Sequence, residues 1–104
     1  MKTFLQIINQ LADIQQKLEA SGQSAQFERN FNKLTYLIEE EGFVYKNPLG
    51  EKYNDSRTDC EANIVGREGK HMIITQVLKP IIYKKDSSGL SLVQKALVIV
   101  ENRK

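Results

Sequence analysis

At Gly42 the chain changes its hydrophobic period, and that change bounds the folds open to it. Upstream, apolar residues recur at steps of three and four: Phe4, Ile7, Leu11, Ile14 and Leu18, then Phe27, Phe31, Leu34 and Ile38. Such spacing lines one apolar seam along each of two amphipathic helices. Ser21 and Gly22 end the first helix, and Gly42 stands where the second needs a left-handed C-terminal residue. Glu39, Glu40 and Glu41 oppose the dipole of that second helix, a cost of about a few tenths of a kcal/mol at an exposed end. Downstream of Gly42, β-branched and aromatic residues come in short runs separated by turn clusters, as strands require.

Strands are expected over 43–46, 61–65, 71–83 and 90–101, with 47–59 mostly loop around Pro48 and Gly50. Arg67-Glu68-Gly69-Lys70 and Asp86-Ser87-Ser88-Gly89 each carry hairpin turn chemistry. Pro80 cannot donate to a sheet ladder, so it belongs at an edge or a bulge. In Ala96-Leu97-Val98-Ile99-Val100 both alternating sets are apolar. That strand is either central and covered on both faces or presents one face as a binding patch.

These elements predict an α+β fold: an N-terminal helical hairpin over 1–42, followed by a small antiparallel β-sheet domain over 43–104. The heptad-like seams predict a homodimer in which two hairpins form a four-helix bundle. The interface would consist of Phe4, Ile7, Leu11, Ile14, Leu18, Phe27, Phe31, Leu34 and Ile38. The competing arrangement packs both helices on the sheet as one monomeric core.

Several function classes are excluded by the residues themselves. A chain of 104 residues cannot hold a cofactor domain plus a substrate domain. A formal net charge of +2, from interspersed acids and bases, gives no footprint for nucleic acid or an anionic membrane. The first twenty residues are interrupted by Gln, Asn, Asp and Lys every few positions and cannot span a bilayer. Cys60 is the single cysteine, which rules out an intrachain disulfide and fits a reducing cytoplasm. The glutamates at 39–41 point in different directions and do not converge on a metal. No phosphate-cradling glycine loop is present, so no cofactor is expected. Cys60 and His71 are the residue types of a thiol–imidazole pair, but no orienting group accompanies them, and the chain is not expected to be an enzyme. Lys79, Lys84 and Lys85 read as solubilising residues that guard a strand edge.

Family resemblance takes the reading further. Phe4 to Ala12 resembles the stretch of GrpE-type nucleotide exchange factors where a long helix enters their bundle, and Phe31 to Gly42 resembles their last bundle helix. Tyr53-Asn54-Asp55 followed by Glu61-Ala62 is similar to the family's aromatic-Asp-Pro loop and the strand start after it. Val77-Leu78-Lys79 and the run from Val93 to Val100 resemble its last two strands. The chain departs from the family at Cys60 (usually His), Ile81-Ile82 (Gly-Tyr), Ser91 (often Arg) and Gln94-Lys95 (Arg-Pro). Most of the family's long N-terminal helix is absent. The resemblance implies a homodimeric co-chaperone that engages the nucleotide-binding half of a DnaK-type heat-shock chaperone and promotes ADP release. It implies a chaperone-facing surface at Tyr53, Asp55, Leu78, Ser91 and Val100. A scaffold or adaptor without exchange activity is the alternative.

Overall fold

The computed structural model describes residues 2–103. Helix α1 spans Lys2–Ala20, a short 3-10 turn covers Ser24–Phe27, and helix α2 spans Glu28–Glu40. Six strands follow: β1 (Phe43–Lys46), β2 (Cys60–Val65), β3 (Met72–Lys79), β4 (Ile81–Asp86), β5 (Gly89–Gln94) and β6 (Ala96–Asn102). They form two three-stranded sheets, β1-β4-β5 and β2-β6-β3.

Neither the helical hairpin nor the four-helix bundle expected from the seams is formed. Each helix approaches a strand or the connecting turn more closely than it approaches the other helix. On α1 the fully buried residues are Ile8 and Ala12, while Ile7 and Ile14, expected at the interface, are 49% and 47% exposed. The buried stripe is turned by about one residue from the heptad seam. A helix laid on a sheet presents a broad face with a small residue for close approach, and Ala12, one turn after Ile8, supplies it. Phe4, Phe31 and Ile38 are spent inside the protomer: Phe31 and Ile38 are buried, and the Phe4 ring lies 5.1 Å from that of Phe43. Leu11, Leu18 and Leu34 are half-buried, and Phe27 is exposed. Polar side chains on the inner flank of α1 fasten it to both sheets. Tyr45 donates from its hydroxyl to Gln15 Oε1 at 3.2 Å, and Gln16 Nε2 donates to the Val77 carbonyl at 3.1 Å.

Gly42 ends α2 with φ +88°, as its position after the seam predicts, and its carbonyl accepts from Lys85 N at 2.7 Å, which starts the pairing of β1 with β4. The long strands expected over 71–83 and 90–101 are each divided. Pro80 separates β3 from β4, and Lys95 separates β5 from β6. Register shifts lie on both sides of Pro80, between Val77 and Lys79 and between Ile82 and Tyr83. The hairpin therefore turns a corner there and passes from one sheet to the other. Ile81 and Ile82, both 0% exposed, point to opposite sides and enter different cores. Ile81 joins Cys60, Met72, Ile74, Val77, Ala96, Val98 and Val100; Ile82 joins Ile8, Ile38 and Phe43 under the helices.

The second sheet is mixed rather than antiparallel. β2 runs parallel to β6, and β3 runs antiparallel to it. Arg67-Glu68-Gly69-Lys70 is thus not the hairpin its composition suggests, because β6 inserts between β2 and β3. The doubly apolar β6 takes the central place, and β2, with Glu61 and Asn63 exposed, takes an edge. The connection wraps the end of β6. Asn102 accepts from His71 N at 3.1 Å, and a Cβ at Gly69 would collide with the Asn102 amide. The second expected hairpin is formed: Asp86 pairs with Gly89 across Ser87-Ser88.

The corner is clamped to α1. Gln94 Nε2 donates to the Pro80 carbonyl at 2.9 Å and to Asn9 Oδ1 at 2.7 Å, and Asn9 Nδ2 donates back to Gln94 Oε1 at 3.1 Å. Gln94→Ala should cost about 1–3 kcal/mol, since it orphans these half-buried partners. Ile8→Ala should cost about 2–4 kcal/mol, and Ile14→Ala no more than about 0.5 kcal/mol. Urea denaturation of the variants checks the order; a larger loss at Ile14 than at Ile8 would show that the seam, not the observed stripe, is the packed face.

Candidate interaction surface

The loop between β1 and β2 is hydrogen-bonded along the edge of β3. Gly50 N donates to the Ile74 carbonyl at 2.9 Å, Ile74 N to Glu51 O at 3.0 Å, and Tyr53 N to Met72 O at 2.8 Å. These bonds and a bridge from Lys52 to Ile73 cover the outer edge of β3. Arg57 ties the far side of the loop. Its Nε and second guanidinium nitrogen meet Asp59 at 3.0 and 3.1 Å, while the third reaches the Lys52 carbonyl at 3.0 Å and Glu51 at 3.2 Å. A planar guanidinium satisfies this fork where an ammonium would not. Those hydrogen bonds hold the Asp59 carboxyl below the usual carboxylate range. Sequence reasoning missed Arg57; its only signal was the opposite charge of Asp59 two residues on.

On this loop the Tyr53 ring packs against the core of the second sheet, and Asp55 is exposed at an Asx turn in which Asn54 Oδ1 accepts from Ser56 N at 2.9 Å. Tyr53 and Asp55 line a shallow groove of about 200 Å³ with Ile64, Glu68, Lys70 and Met72. Leu78, 45% exposed, lies at the other end of β3 in a groove of about 340 Å³ against Gln6, Asn9, Gln10 and Asp13 of α1. Asp13 also borders a second groove, of about 470 Å³, with Gln16, Leu49 and Val77. Ser91 is exposed on β5, its hydroxyl 3.2 Å from Asp86 Oδ2. Val100 is 0% exposed. It faces the core from the central strand and cannot touch a partner, so the expectation for this position is corrected. The five residues do not form one patch: two share the Tyr53 groove, Leu78 is at the opposite end of the strand, and Ser91 belongs to a different sheet.

The polar candidates raised by the sequence are also accounted for. Lys84 does not guard an edge; its Nζ sits 4.6 Å from the centre of the Phe43 ring. Glu39, Glu40 and Glu41 are all exposed. Among the described residues no group of three or more His, Cys, Asp or Glu side chains could hold a metal ion, and no helix is long and apolar enough to cross a membrane. Burial pushes the Cys60 thiol up from 9.0 to about 11, the reverse of what a nucleophilic thiolate requires.

No protein-family model, no curated protein and no solved structure matches this chain. The resemblance to GrpE-type factors therefore stands on its quoted residues alone.

The Cys60 environment makes a pH prediction. Because the folded state favours the protonated thiol, the contribution of Cys60 to stability is complete below pH 9.0 and lost as pH rises through about 11. Native protein at pH 8 should react with an aromatic disulfide reagent far more slowly than urea-unfolded protein. Cys60→Ala should flatten part of the alkaline decline in stability; an unchanged slope would show that the thiol ionises as freely in the folded chain as in the unfolded one.

Proposed function

We propose that this chain is a non-catalytic, protein-binding co-chaperone of the GrpE type, which engages the nucleotide-binding half of a DnaK-type heat-shock chaperone and promotes ADP release. The observation that carries the reading is the accessibility of three resemblance positions at the two ends of β3. Tyr53 and Asp55 sit on the loop bonded to its first residues, and Leu78 is exposed near its end, roughly 20 Å away at strand spacing. Two contact points held that far apart by one strand would reach two lobes of a partner, which a single pocket would not. Their work would be differential affinity: by binding the open form of the nucleotide cleft more tightly than the closed form, they shift the population toward release, with no bond made or broken.

A second reading, a scaffold or adaptor that binds the chaperone without opening it, is favoured by the loss of two contacts. Val100 is buried, and Ser91 offers a hydroxyl already engaged by Asp86 where the family often has arginine. The measurement that separates the readings is the rate of release of a fluorescent ADP analogue from the chaperone of the same cell. Acceleration supports exchange, binding without acceleration supports the adaptor, and absence of binding rejects both. Asp55→Lys and Leu78→Asp alter exposed side chains, and each should weaken binding by about tenfold or more while leaving the melting transition in place. Tyr53→Ala is the less clean probe, because its ring also covers the core.

A further inference from the structure

Each sheet has two terminal strands, and three of the four carry a charge: Lys46 on β1, Glu61 on β2 and Lys79 on β3, which the 50–53 segment also covers in part. β5 is different. Gly89-Leu90-Ser91-Leu92-Val93-Gln94 has no charged residue and no proline, and it pairs with β4 on one side only. Leu90 and Leu92 are 55% and 40% exposed. Both point away from the helices, because Leu92 is paired with Tyr83, whose ring turns to the other core, while Val93 packs under the helices. Val44, Tyr83 and Leu92 form a cross-strand row that stops at the open edge. An unguarded edge next to exposed leucines is the arrangement that folded proteins otherwise avoid.

We infer that β5 is a self-association edge, on which a second copy of this chain pairs antiparallel about a two-fold axis through Ser91. The sequence is self-complementary in that register. Leu90 lies opposite the partner's Leu92 and Leu92 opposite the partner's Leu90, on the face that already carries Tyr83, so the apolar row runs on into the second copy. Charge selects the same occupant. Exposed Lys95, just past β5, falls beside the turn that holds the partner's Asp86, and the two-fold makes this contact twice. The two three-stranded sheets become one of six strands, and the two ends of β3 stay free.

Sedimentation equilibrium of the full chain should show a reversible dimer. Leu92→Lys should raise its dissociation constant by about tenfold or more, Lys95→Glu should weaken it in a salt-dependent way, and Ile14→Lys on the exposed face of α1 should leave it unchanged. Ser91→Cys supplies a reading independent of stability. Residues on the two-fold of an antiparallel pair lie about 4.5–5.5 Å apart, within disulfide reach. Mild oxidation should link Ser91→Cys into a covalent dimer while the unmodified chain, whose Cys60 is buried, stays unlinked. A monomer up to millimolar concentration, a dimer lost with Ile14→Lys but kept with Leu92→Lys, or failure of Ser91→Cys to cross-link would each overturn the inference. None of these readouts involves the chaperone, so the proposal stands or falls apart from the exchange reading.

Discussion

The hydrogen bond from Gln94 to the Pro80 carbonyl is the point on which the rest of the molecule turns. Proline has no N–H to give to a ladder, so the chain must leave one sheet there. The carbonyl that this exit would strand is taken by Gln94, whose amide also makes a reciprocal pair with Asn9 of α1. One half-buried amide thus fixes the corner, the register of the strand opposite it, and the docking of the first helix. Immediately after Pro80, Ile81 and Ile82 feed the two cores from opposite faces. Ile81, Ile82, Gln94 and Lys95 are the residues of this corner. A glycine in place of Ile81 would leave part of one core unfilled, and an arginine in place of Gln94 could donate to Pro80 but not accept from Asn9.

A second constraint follows from β6. Its Ala96, Val98 and Val100 are 0% exposed, while Leu97 and Ile99 on the other face are half-buried. A strand with that composition is stable only between neighbours, so it inserts between β2 and β3 and makes the sheet mixed. The insertion buries Val100 and so removes it from any partner surface. It also frees the far edge of β2 and lets the β1–β2 loop cover part of β3, where Arg57 holds Tyr53 and Asp55 in place. The candidate surface is therefore a by-product of where β6 had to go.

The helices show how local pattern and tertiary context divide the work. Both form where the seams predict, and both stop at Ser21-Gly22 and Gly42 as predicted. What they face was not legible. A seam of Phe4, Ile7, Leu11, Ile14 and Leu18 suits a partner helix, yet Asn9, Gln15 and Gln16 reach strands of both sheets from the adjoining flank. Those hydrogen bonds turn α1 toward the sheets, so Ile8 and Ala12 go inside and Ile7 and Ile14 stay at the surface.

By itself the sequence determined the local elements: the change of period at Gly42, the two helices and their ends, and the hairpin at Asp86–Gly89. Each depends on interactions between residues a few positions apart or on the conformational limits of one residue type, and these are written in adjacent letters. Tertiary structure alone decided which strands are neighbours, why the turn at 67–70 is not a hairpin, and which face of α1 is packed. It alone brought Asn9 to Gln94, 85 positions away. Those outcomes rest on competition among distant partners for the same apolar faces and hydrogen-bonding groups. Such a competition is settled by the whole set of packed alternatives, which no window of the sequence contains.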